Sequence, residues 1–320
     1  MQRILVTGGS GFIGTNVVEH LKQKGDCEFV NLDLNTPKCS DYLRYWKKVD
    51  ICDREAFVSE VTSFNPHYVI HLAARTDLMG ASVSDYSANT DGVENLLYAL
   101  DQLKEVRRVI FTSSMLVCKV GYQPKDADDY APSTSYGESK VETETLIKKH
   151  NPAYSWSLIR PTSIWGPWFG EPYANFFKMV LARTYVDLGT KACTKTYGYI
   201  DNAVFQIMSL MTADEEKVNK KTFYIGDYEP YNISQWAHEI GKEVGVYVPT
   251  VPYALVKVAA WVGDVLRKMH IPFPMTSFRL KNMTTDNVID MSATQSVVPH
   301  LPVSRHEGIL RTIAWLKTGK

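Results

Sequence analysis

The sequence predicts an α/β protein in which a doubly wound parallel sheet is joined to a smaller, interleaved C-terminal substrate domain. Two observations lead to this prediction. Short apolar runs alternate with amphipathic stretches through the first half of the 320 residues, and a glycine-rich turn directly follows the first apolar run. Strands and helices that alternate at this spacing are typical of a parallel sheet with helices on both faces, which binds ligands at the carboxyl ends of its strands.

The predicted strands of the sheet are six apolar runs separated by helical stretches or longer segments. In chain order, the strands and intervening helices are RILVTG, IGTNVVEHLKQKG, EFVNLD, REAFVSEVTSF, HYVIHLAA, ANTDGVENLLYALDQL, RRVIFTSS, SKVETETLIKKH and SWSLIRP, with a late strand at TFYIGD. The alternation stops near residue 165, where Pro, Gly and aromatic residues take over. We therefore predict a sheet domain over residues 1–164 with a return segment at 196–227, and a substrate domain over 165–195 and 228–320.

The C-terminal third predicts three helices, ISQWAHEIGKEVG, YALVKVAAWVGDVLRKM and EGILRTIAWLKTG. The second of them, from Tyr253 to Met269, is apolar enough to line an apolar substrate pocket or to touch a membrane. Because Lys257 and Asp264 interrupt it, we predict a helix that packs in the core.

Composition and charge restrict the classes of partner. Apolar residues make up 45% of the chain and charged residues 22%, as in ordinary globular proteins, and Lys plus Arg equals Asp plus Glu at 35 each. Because the chain has no net charge, we expect no overall attraction to nucleic acid or to an anionic membrane. Small molecules or a second copy of the chain are the expected partners. The chain has no apolar run long enough for a membrane span and no leader pattern, which predicts a cytoplasmic protein.

Cysteine and histidine spacing argues against a disulfide framework and against a metal site. The number of cysteines is odd and they form no C-x-x-C pair, and the eight histidines show neither H-x-H nor H-E-x-x-H spacing. We therefore predict no metal. The five scattered cysteines, which fit a reducing compartment, are Cys27, Cys39, Cys52, Cys118 and Cys193.

A phosphate-binding loop is predicted where the first strand turns into the first helix. TGGSGFIG places Gly8, Gly11 and Gly14 at a spacing that permits a tight turn and close backbone approach, while the helix N-terminus presents free amides to a pyrophosphate. Asp33 ends the second strand about 20 residues later, where a carboxylate accepts hydrogen bonds from ribose hydroxyls. The next two residues carry no cation for a 2′-phosphate, so we predict a Rossmann domain that binds NAD rather than NADP.

A tyrosine and a lysine follow the fifth strand on one helical face. SYGESK places Tyr136 and Lys140 at i and i+4, and Ser114 ends a strand 22 residues before the tyrosine. Lowering the pKa of a tyrosine from about 10 to neutrality takes about 4 kcal/mol, which a lysine ammonium and an oxidised nicotinamide would supply together. A second Y-x-x-x-K at Tyr253 and Lys257 lies in the apolar helix, and we assign it to packing and surface.

With these motifs the chain resembles the extended short-chain dehydrogenase/reductase family, in particular the NAD-dependent epimerase/dehydratase branch that acts on nucleotide-activated sugars. The resemblance covers nearly the whole length. Its marks are TGGSGFIG, Asp33, VDICD, HLAA, Asn89 in NTDGVENLL, TSS, YGESK and IRPTSIWGP. The cofactor-binding residues that it implies are Gly8, Gly11, Phe12, Ile13, Gly14, Asp33, Asp50, Ile51, Leu72, Ala73, Ala74, Tyr136, Lys140 and Pro161.

The resemblance also implies a mechanism. Tyr136 would take or give the hydroxyl proton, Lys140 would hold the nicotinamide ribose and lower the tyrosine pKa, and Ser114 would hydrogen-bond the reacting oxygen. Hydride would pass between the sugar carbon and the nicotinamide. The helices predicted at residues 89–103 and 136–150 carry apolar stripes that family members use for dimerisation. A homodimer is therefore expected, although the sheet could equally well cover these stripes.

Three further positions are implied as substrate contacts. Lys195 in KTYGYIDNA stands where the family often has an arginine that grips the diphosphate, and a lysine lacks the bidentate fork of an arginine. Asn175 resembles another nucleotide-sugar contact, although an asparagine at this place also suits a helix cap. Thr76, shortly after HLAA, completes the set.

Two departures from the family pattern restrict the reaction. Met115 and Leu116 stand directly after Ser114, where relatives that eliminate water or carbon dioxide carry an acidic residue. We therefore expect hydride transfer at one carbon, as in an epimerase or a ketoreductase. Cys118 replaces a usual tyrosine, and we assign it a structural role.

Two alternative functions remain open at this point. The C-terminal helices also resemble the 3β-hydroxysteroid dehydrogenase branch, which acts on an apolar alcohol. A regulator that senses a dinucleotide without turnover is the other alternative, although such proteins typically lose the tyrosine or the lysine and this chain has both.

Overall fold

Seven parallel strands form the central sheet of the computed structural model, which describes residues 1–171, 173–269, 271, 273 and 275–318, with only the backbone described for residues 190 and 278. The strand order is β10-β6-β5-β4-β1-β2-β3. The strands are β1 (Gln2–Thr7), β2 (Cys27–Asp33), β3 (Trp46–Lys48), β4 (Tyr68–His71), β5 (Arg108–Thr112), β6 (Ser155–Pro161), β7 (Ser163–Trp165), β8 (Thr194–Lys195), β9 (Tyr197–Tyr199), β10 (Lys221–Ile225) and β11 (Tyr231–Asn232).

Helices cover both faces of this sheet, because side chains along each strand point alternately to opposite sides. In β1, Ile4 and Val6 join one buried cluster and Leu5 joins the other. The helices are α1 (Phe12–Lys24), α2 (Arg54–Phe64), α3 (Asp91–Leu100), α4 (Ser135–His150), α5 (Tyr173–Leu181), α6 (Ile200–Thr212), α7 (Glu215–Val218), α8 (Ile233–Glu243), α9 (Tyr253–Lys268), α10 (Ser277–Thr284), α11 (Ser292–Val297) and α12 (Arg305–Lys317).

The predicted doubly wound sheet is confirmed. The six predicted strands correspond to β1, β2, β4, β5, β6 and β10, whereas β3 is a three-residue edge strand without a clear apolar pattern. Strand order reverses at β1, which lies between β2 and β4. A crevice therefore opens at the carboxyl ends of β1 and β4, the place where such sheets bind ligands.

Small sheets and an aromatic cluster build the part of the chain beyond β6. β7 pairs with β9 in parallel, and β8 pairs with β11 in antiparallel orientation. The indole of Trp165 is fully buried, and its ring lies 4.9 to 6.2 Å from its aromatic neighbours. β7, β8 and β9 pair outside the main sheet, and the chain adds a further strand to that sheet with β10. The two predicted domain boundaries stay a prediction.

The apolar helix predicted from Tyr253 is confirmed as a helix but not as a core helix. α9 buries Val256, Ala260 and Gly263 and leaves larger apolar side chains exposed. The apolar periodicity predicted the helix correctly. The side of the helix that packs against the protein, however, carries its smaller residues. Within the described part of the chain, no helix has the length and apolarity needed to cross a bilayer.

Candidate active site

The glycine-rich loop between β1 and α1 allows the backbone to approach its neighbours very closely. Gly8 has a φ of +73°, and a Cβ there would lie 2.5 Å from the amide nitrogen of Ala73. A Cβ on Gly14 would lie 2.1 Å from the carbonyl oxygen of Gly8. Gly11 is the N-cap of α1, and no described side chain caps this helix. The first amides of α1 therefore remain available to an anion.

Asp33 holds this loop against the end of β2. One carboxylate oxygen accepts a hydrogen bond from the amide of Ser10 at 2.9 Å, and the other accepts from the amide of Asn35 at 2.8 Å. Asn31 accepts from the amide of Gly9 at 2.8 Å. Each carboxylate oxygen still has a second lone pair, which suits a ribose hydroxyl. The part played by Asn31 was not predicted, because a polar residue in a buried strand has no fixed spacing from the loop. Ser10 contributes a backbone amide, which the identity of its side chain does not reveal.

The other predicted cofactor residues lie at the start of α1 or at the carboxyl ends of β3, β4 and β6. Ile51 is buried against Gly92, and its carbonyl accepts from the side-chain amide of Asn95 at 2.9 Å. Asp50 accepts from the amide of Cys52 at 2.8 Å. Partly buried residues at the first turn of α1 and at the ends of β4 and β6 are Phe12, Ile13, Leu72, Ala73, Ala74 and Pro161. Their contact with a cofactor stays a prediction.

Two buried polar atoms at the ends of β4 and β5 have no hydrogen-bond partner among the described residues. They are Nε2 of His71 and Oγ1 of Thr112. Burial lowers the pKa of His71 to about 3, so the ring is neutral, and its Nδ1 pairs with the hydroxyl of Thr7 at 2.7 Å. An unpaired buried polar atom costs about 1 to 3 kcal/mol. Together with the glycine loop and Asp33, these unpaired atoms fit a crevice that holds a dinucleotide.

Ser114 and Tyr136 are brought together by two short helical segments. Ser114 caps a single 3-10 turn, and its Oγ accepts a hydrogen bond from the amide of Leu116 at 3.1 Å. A Cβ on Gly137 would lie 2.3 Å from the carbonyl oxygen of Leu116, so glycine allows the start of α4 to meet this turn. The hydroxyl of Ser114 then lies close enough to the phenol of Tyr136 to lower its pKa. The Ser114 hydroxyl accepts from an amide and still carries one proton of its own, which it can donate.

The pKa of Tyr136 is raised in the protein without cofactor. It lies at about 12, mainly because of burial; Ser114 opposes the rise, and the nearby hydroxyls of Tyr173 and Tyr86 add to it. In the protein without cofactor this pKa therefore lies above that of a free tyrosine, and its lowering by Lys140 together with an oxidised nicotinamide stays a prediction. The physical reason is that burial penalises a phenolate more than the surrounding groups favour it. At neutral pH the hydroxyl therefore keeps its proton.

Lys140 lies one turn further along α4 and is almost completely buried. Its ammonium donates a hydrogen bond to the carbonyl oxygen of Thr112 at 2.9 Å, at the end of β5. Burial lowers the pKa of Lys140 to about 8, and the carboxylate of Glu144 opposes this shift. The side chain is thus a cation at neutral pH, held by one neutral acceptor beside the strand that carries Ser114.

A saturated ion-pair network, which the sequence reasoning missed, lies one turn beyond Lys140. Glu144 is fully buried and accepts from Ser113 at 2.6 Å, from Tyr130 at 2.8 Å and from Arg160 at 2.7 and 2.8 Å. Burial alone raises the pKa of Glu144, but the donors outweigh burial and hold it below its usual value. Because Ser113 lies between Thr112 and Ser114, this network fixes the backbone that carries the candidate catalytic serine.

Asn89 ties the loop after β4 to α4. Its side chain accepts from the amide of Arg75 at 2.9 Å and donates to the Arg75 carbonyl at 3.0 Å and to the hydroxyl of Ser139 at 2.9 Å. Thr143 donates to the carbonyl of Asn89. This fully buried asparagine therefore sets the distance between the predicted cofactor loop and the helix that carries Tyr136.

The three further predicted substrate contacts are Thr76, Asn175 and Lys195. Among the described residues, no hydrogen bond links them to the site formed by Ser114, Tyr136 and Lys140. Thr76 is exposed after β4. Asn175 lies within α5, two residues after the helix begins at Tyr173, so it is not the N-cap residue. The ammonium of Lys195 donates to the main-chain carbonyl of Asn282 at 2.7 Å. A substrate diphosphate would have to compete with that carbonyl.

The residues that follow Ser114 are structural or apolar. Met115 lines a cavity of about 230 Å³ between residues 118–127 and 287–293, and its sulfur lies 3.9 Å from the side-chain nitrogen of Asn287. Cys118 is buried and its sulfur lies 3.4 Å from the carbonyl oxygen of Asp129. Burial raises the pKa of the Cys118 thiol, which fits the predicted structural role.

Known proteins share both the sequence pattern and the fold. Residues 4–226 match the model of the family described as the NAD dependent epimerase/dehydratase family. The chain is 25% identical to the Escherichia coli N-acetyl-alpha-D-glucosaminyl-diphospho-ditrans,octacis-undecaprenol 4-epimerase, with 98% of this chain and 94% of that protein covered. It is 28% identical to a Mycobacterium tuberculosis 3 beta-hydroxysteroid dehydrogenase/Delta 5-->4-isomerase, with 85% and 77% covered. The crystal structure of Thermus thermophilus UDP-glucose 4-epimerase complexed with NAD has the same fold, with a TM-score of 0.74, 22% identity and 100% of both chains covered.

Proposed function

Because the chain belongs to the NAD-dependent epimerase/dehydratase family, we propose that it moves a hydride at a single hydroxyl or keto carbon of a nucleotide-activated sugar. When bound, NAD supplies the hydride acceptor and donor. The observation that supports this proposal most directly is the position of Ser114, whose oxygen accepts from the Leu116 amide and whose hydroxyl lies beside the buried phenol of Tyr136. A reacting oxygen placed there would meet two hydroxyl donors.

Tyr136 is the proton-transfer group in this proposal. With a pKa near 12, the phenol is protonated at neutral pH and suits the donation of a proton to a developing alkoxide. In the opposite direction it must lose that proton, and bringing its pKa to neutrality takes about 7 kcal/mol. Lys140, still cationic at neutral pH, and the positive charge of the oxidised cofactor are the groups expected to supply this. Proton abstraction by Tyr136 should therefore depend on bound oxidised NAD.

The reaction is limited to one carbon because the neighbours of Ser114 do not titrate. An elimination needs a base for one proton and an acid for the leaving hydroxyl, each within hydrogen-bond reach of its target. Met115 and Leu116 supply neither, and Met115 lines a cavity whose lining does not include Ser114 or Tyr136. We therefore propose an epimerase or a simple alcohol/ketone oxidoreductase.

Mass spectrometry of the products tests this proposal. The purified protein is incubated with NAD and a panel of UDP-, GDP-, dTDP- and CDP-sugars, and reduced NAD is followed by its absorbance. We expect a product of unchanged mass, or one that differs by two hydrogen atoms. A product that has lost water or carbon dioxide, formed only with both NAD and Tyr136 present, would contradict the proposal.

A second candidate is oxidation of an apolar alcohol such as a 3β-hydroxysteroid. The similarity to a 3 beta-hydroxysteroid dehydrogenase over 85% of the chain favours it. Adding a 3β-hydroxysteroid to the same panel separates the two candidates. If the protein converts the steroid but none of the sugars, the substrate is an apolar alcohol, and the roles proposed for Ser114, Tyr136 and Lys140 still apply.

A further inference from the structure

One face of α9 exposes large apolar side chains to solvent. Leu255, Val258, Trp261 and Val265 are exposed, and Met269 extends their row directly beyond the helix. Their spacing of three or four residues places them on a single side of the helix. We refer to these five residues as the α9 apolar face. Trp261 is 66% exposed, the largest value in the row.

The opposite side of α9 fixes the helix to the protein through small residues. Val256 and Ala260 pack in a small buried cluster, and a Cβ on Gly263 would lie 1.8 Å from the carbonyl oxygen of Met275. Exposed Ile271 and Phe273 continue the apolar surface beyond the helix. The α9 apolar face is therefore part of the folded protein surface, because the opposite side of the helix is packed against the rest of the chain. Patches of this kind mark sites that bind a partner or a membrane.

The charge around this face differs from that of the whole chain. The chain has no net charge, but the segment 244–285 contains five cations and one carboxylate, a formal charge of +4. The carboxylate, Asp264, accepts a hydrogen bond from the amide of Ser277 at 3.1 Å. Lys257 and Lys268 are exposed and lie four residues before and seven residues after Trp261, on the same side of the helix. Cations therefore border the α9 apolar face.

We propose that the α9 apolar face binds the surface of a lipid bilayer that contains anionic lipids. Apolar residues with a tryptophan on one side and lysines at its edge are the features of a helix that lies in the interface between water and lipid. At 16 residues, α9 is shorter than the roughly 20 residues that a spanning helix needs, so it lies in the plane of the surface. The cations attract anionic headgroups within a Debye length. This binding does not depend on the chemistry proposed for the active site.

Tryptophan fluorescence reports this binding directly. All seven tryptophans lie in the described part of the chain, and Trp261 alone is exposed, the others being buried or partly buried. The full-length protein is mixed with phosphatidylcholine vesicles that contain phosphatidylglycerol, or with vesicles of phosphatidylcholine alone. We expect a blue shift and quenching by brominated lipid with the anionic vesicles, and weaker binding as salt is raised. Trp261→Leu should float with the vesicles as before but lose the fluorescence change.

Flotation of variants separates the apolar and the charged contributions. Trp261→Glu should lower the fraction of protein bound by about tenfold or more, and Lys257→Gln and Lys268→Gln by about fivefold each. Leu310→Glu changes an exposed leucine of α12 and should bind like the unaltered protein. Matching circular dichroism melting curves confirm that each variant is folded.

Three results would overturn the proposal. The first is no binding to anionic vesicles, and the second is equal binding by the unaltered protein and Trp261→Glu. The third is a dimer, seen by sedimentation without lipid, that Trp261→Glu dissociates, since this would assign the face to a second copy of the chain.

Discussion

Lys140 and Glu144 stand one turn apart on α4 and are both buried charged side chains, yet their surroundings differ. Glu144 receives hydrogen bonds from Ser113, Tyr130 and Arg160, and a longer one from Lys148 at 3.4 Å. Lys140 donates one hydrogen bond to a neutral carbonyl. The same helix therefore holds one charge that is fully compensated and one that is not.

The pKa values of the two residues reflect this difference. The donors keep the pKa of Glu144 below its usual value, so the folded protein favours the charged form. Burial lowers the pKa of Lys140 to about 8, so the folded protein disfavours its charge. The charged form of a structural ion pair stabilises the fold. A catalytic or binding group instead keeps a charge that is not compensated by the protein and that can interact with a ligand.

The largest expected effect is on stability at the compensated site. Glu144→Gln keeps the shape of the side chain but leaves the Arg160 guanidinium, only 1% exposed, without its counter-charge. Breaking a buried pair in this way costs about 3 to 5 kcal/mol. Urea unfolding at neutral pH should show this loss in the free energy of unfolding.

The control for Glu144 lies two residues away on the same helix. Glu142 is exposed, and Glu142→Gln should change stability by less than about 0.5 kcal/mol. Because the folded pKa of Glu144 is lowered, its stabilising contribution is present above the ordinary glutamate pKa and is lost as the pH falls through the folded value. Equal stability of the two variants would contradict the assignment of Glu144 as a compensated structural charge.

A smaller effect, on cofactor binding, is expected at Asp33. Each oxygen of this carboxylate can still accept a further hydrogen bond from a ligand. Its two described donors are backbone amides, those of Ser10 and Asn35. Asp33→Ala should weaken NAD binding by about tenfold through loss of charged hydrogen bonds, and should narrow the preference for NAD over NADP. Calorimetric titration with both cofactors measures this. Tighter binding of NADP by the unaltered protein would refute the role of Asp33.

Replacing Lys140 should change stability less than replacing Glu144, and with the opposite sign. Burial of its ammonium costs about 3 kcal/mol relative to the unfolded chain, and loss of the bond to Thr112 takes back about 1 to 2 kcal/mol. Lys140→Met should therefore be more stable at neutral pH by about 1 kcal/mol, although turnover is lost. A clear loss of stability in urea would place Lys140 with Glu144 as a structural charge.

The pH dependence of Lys140 provides a second measurement. The folded pKa lies below the ordinary value of 10.5, so between about pH 8 and pH 10 the unfolded chain binds more protons than the folded one. The contribution of Lys140 to stability should therefore rise with pH in this window, and the difference between the unaltered protein and Lys140→Met isolates it. The advantage of Lys140→Met should shrink over the same range.

The sheet and the cofactor loop could be predicted from sequence because their signals are local. Alternating strands and helices, TGGSGFIG and the Y-x-x-x-K spacing each lie within a short stretch. The partners of Glu144 could not, because Ser113, Tyr130 and Arg160 come from separate elements. A charged residue inside the apolar run SWSLIRP and a glutamate four residues after Lys140 were the available signals.

The remaining differences arise where sequence does not encode the surroundings of a side chain. The acceptor of Lys140 is a backbone carbonyl, which any residue at position 112 would provide. The raised pKa of Tyr136 follows from burial that spacing does not reveal. The apolar pattern of α9 is the same for a core helix and for a helix with an exposed apolar face. The structure exposes Leu255, Val258 and Trp261, so the prediction of a core helix was wrong.

The most direct test of the central claim compares turnover of two matched variants. Tyr136→Phe removes the hydroxyl beside Ser114, and Tyr253→Phe removes the hydroxyl of the other Y-x-x-x-K pair, on α9. With a nucleotide-sugar that the unaltered protein converts, we predict that Tyr136→Phe lowers kcat by about 100-fold or more while NAD still binds, and that Tyr253→Phe leaves kcat unchanged. Equal turnover by both variants would show that Tyr136 does not transfer the proton and would contradict the account.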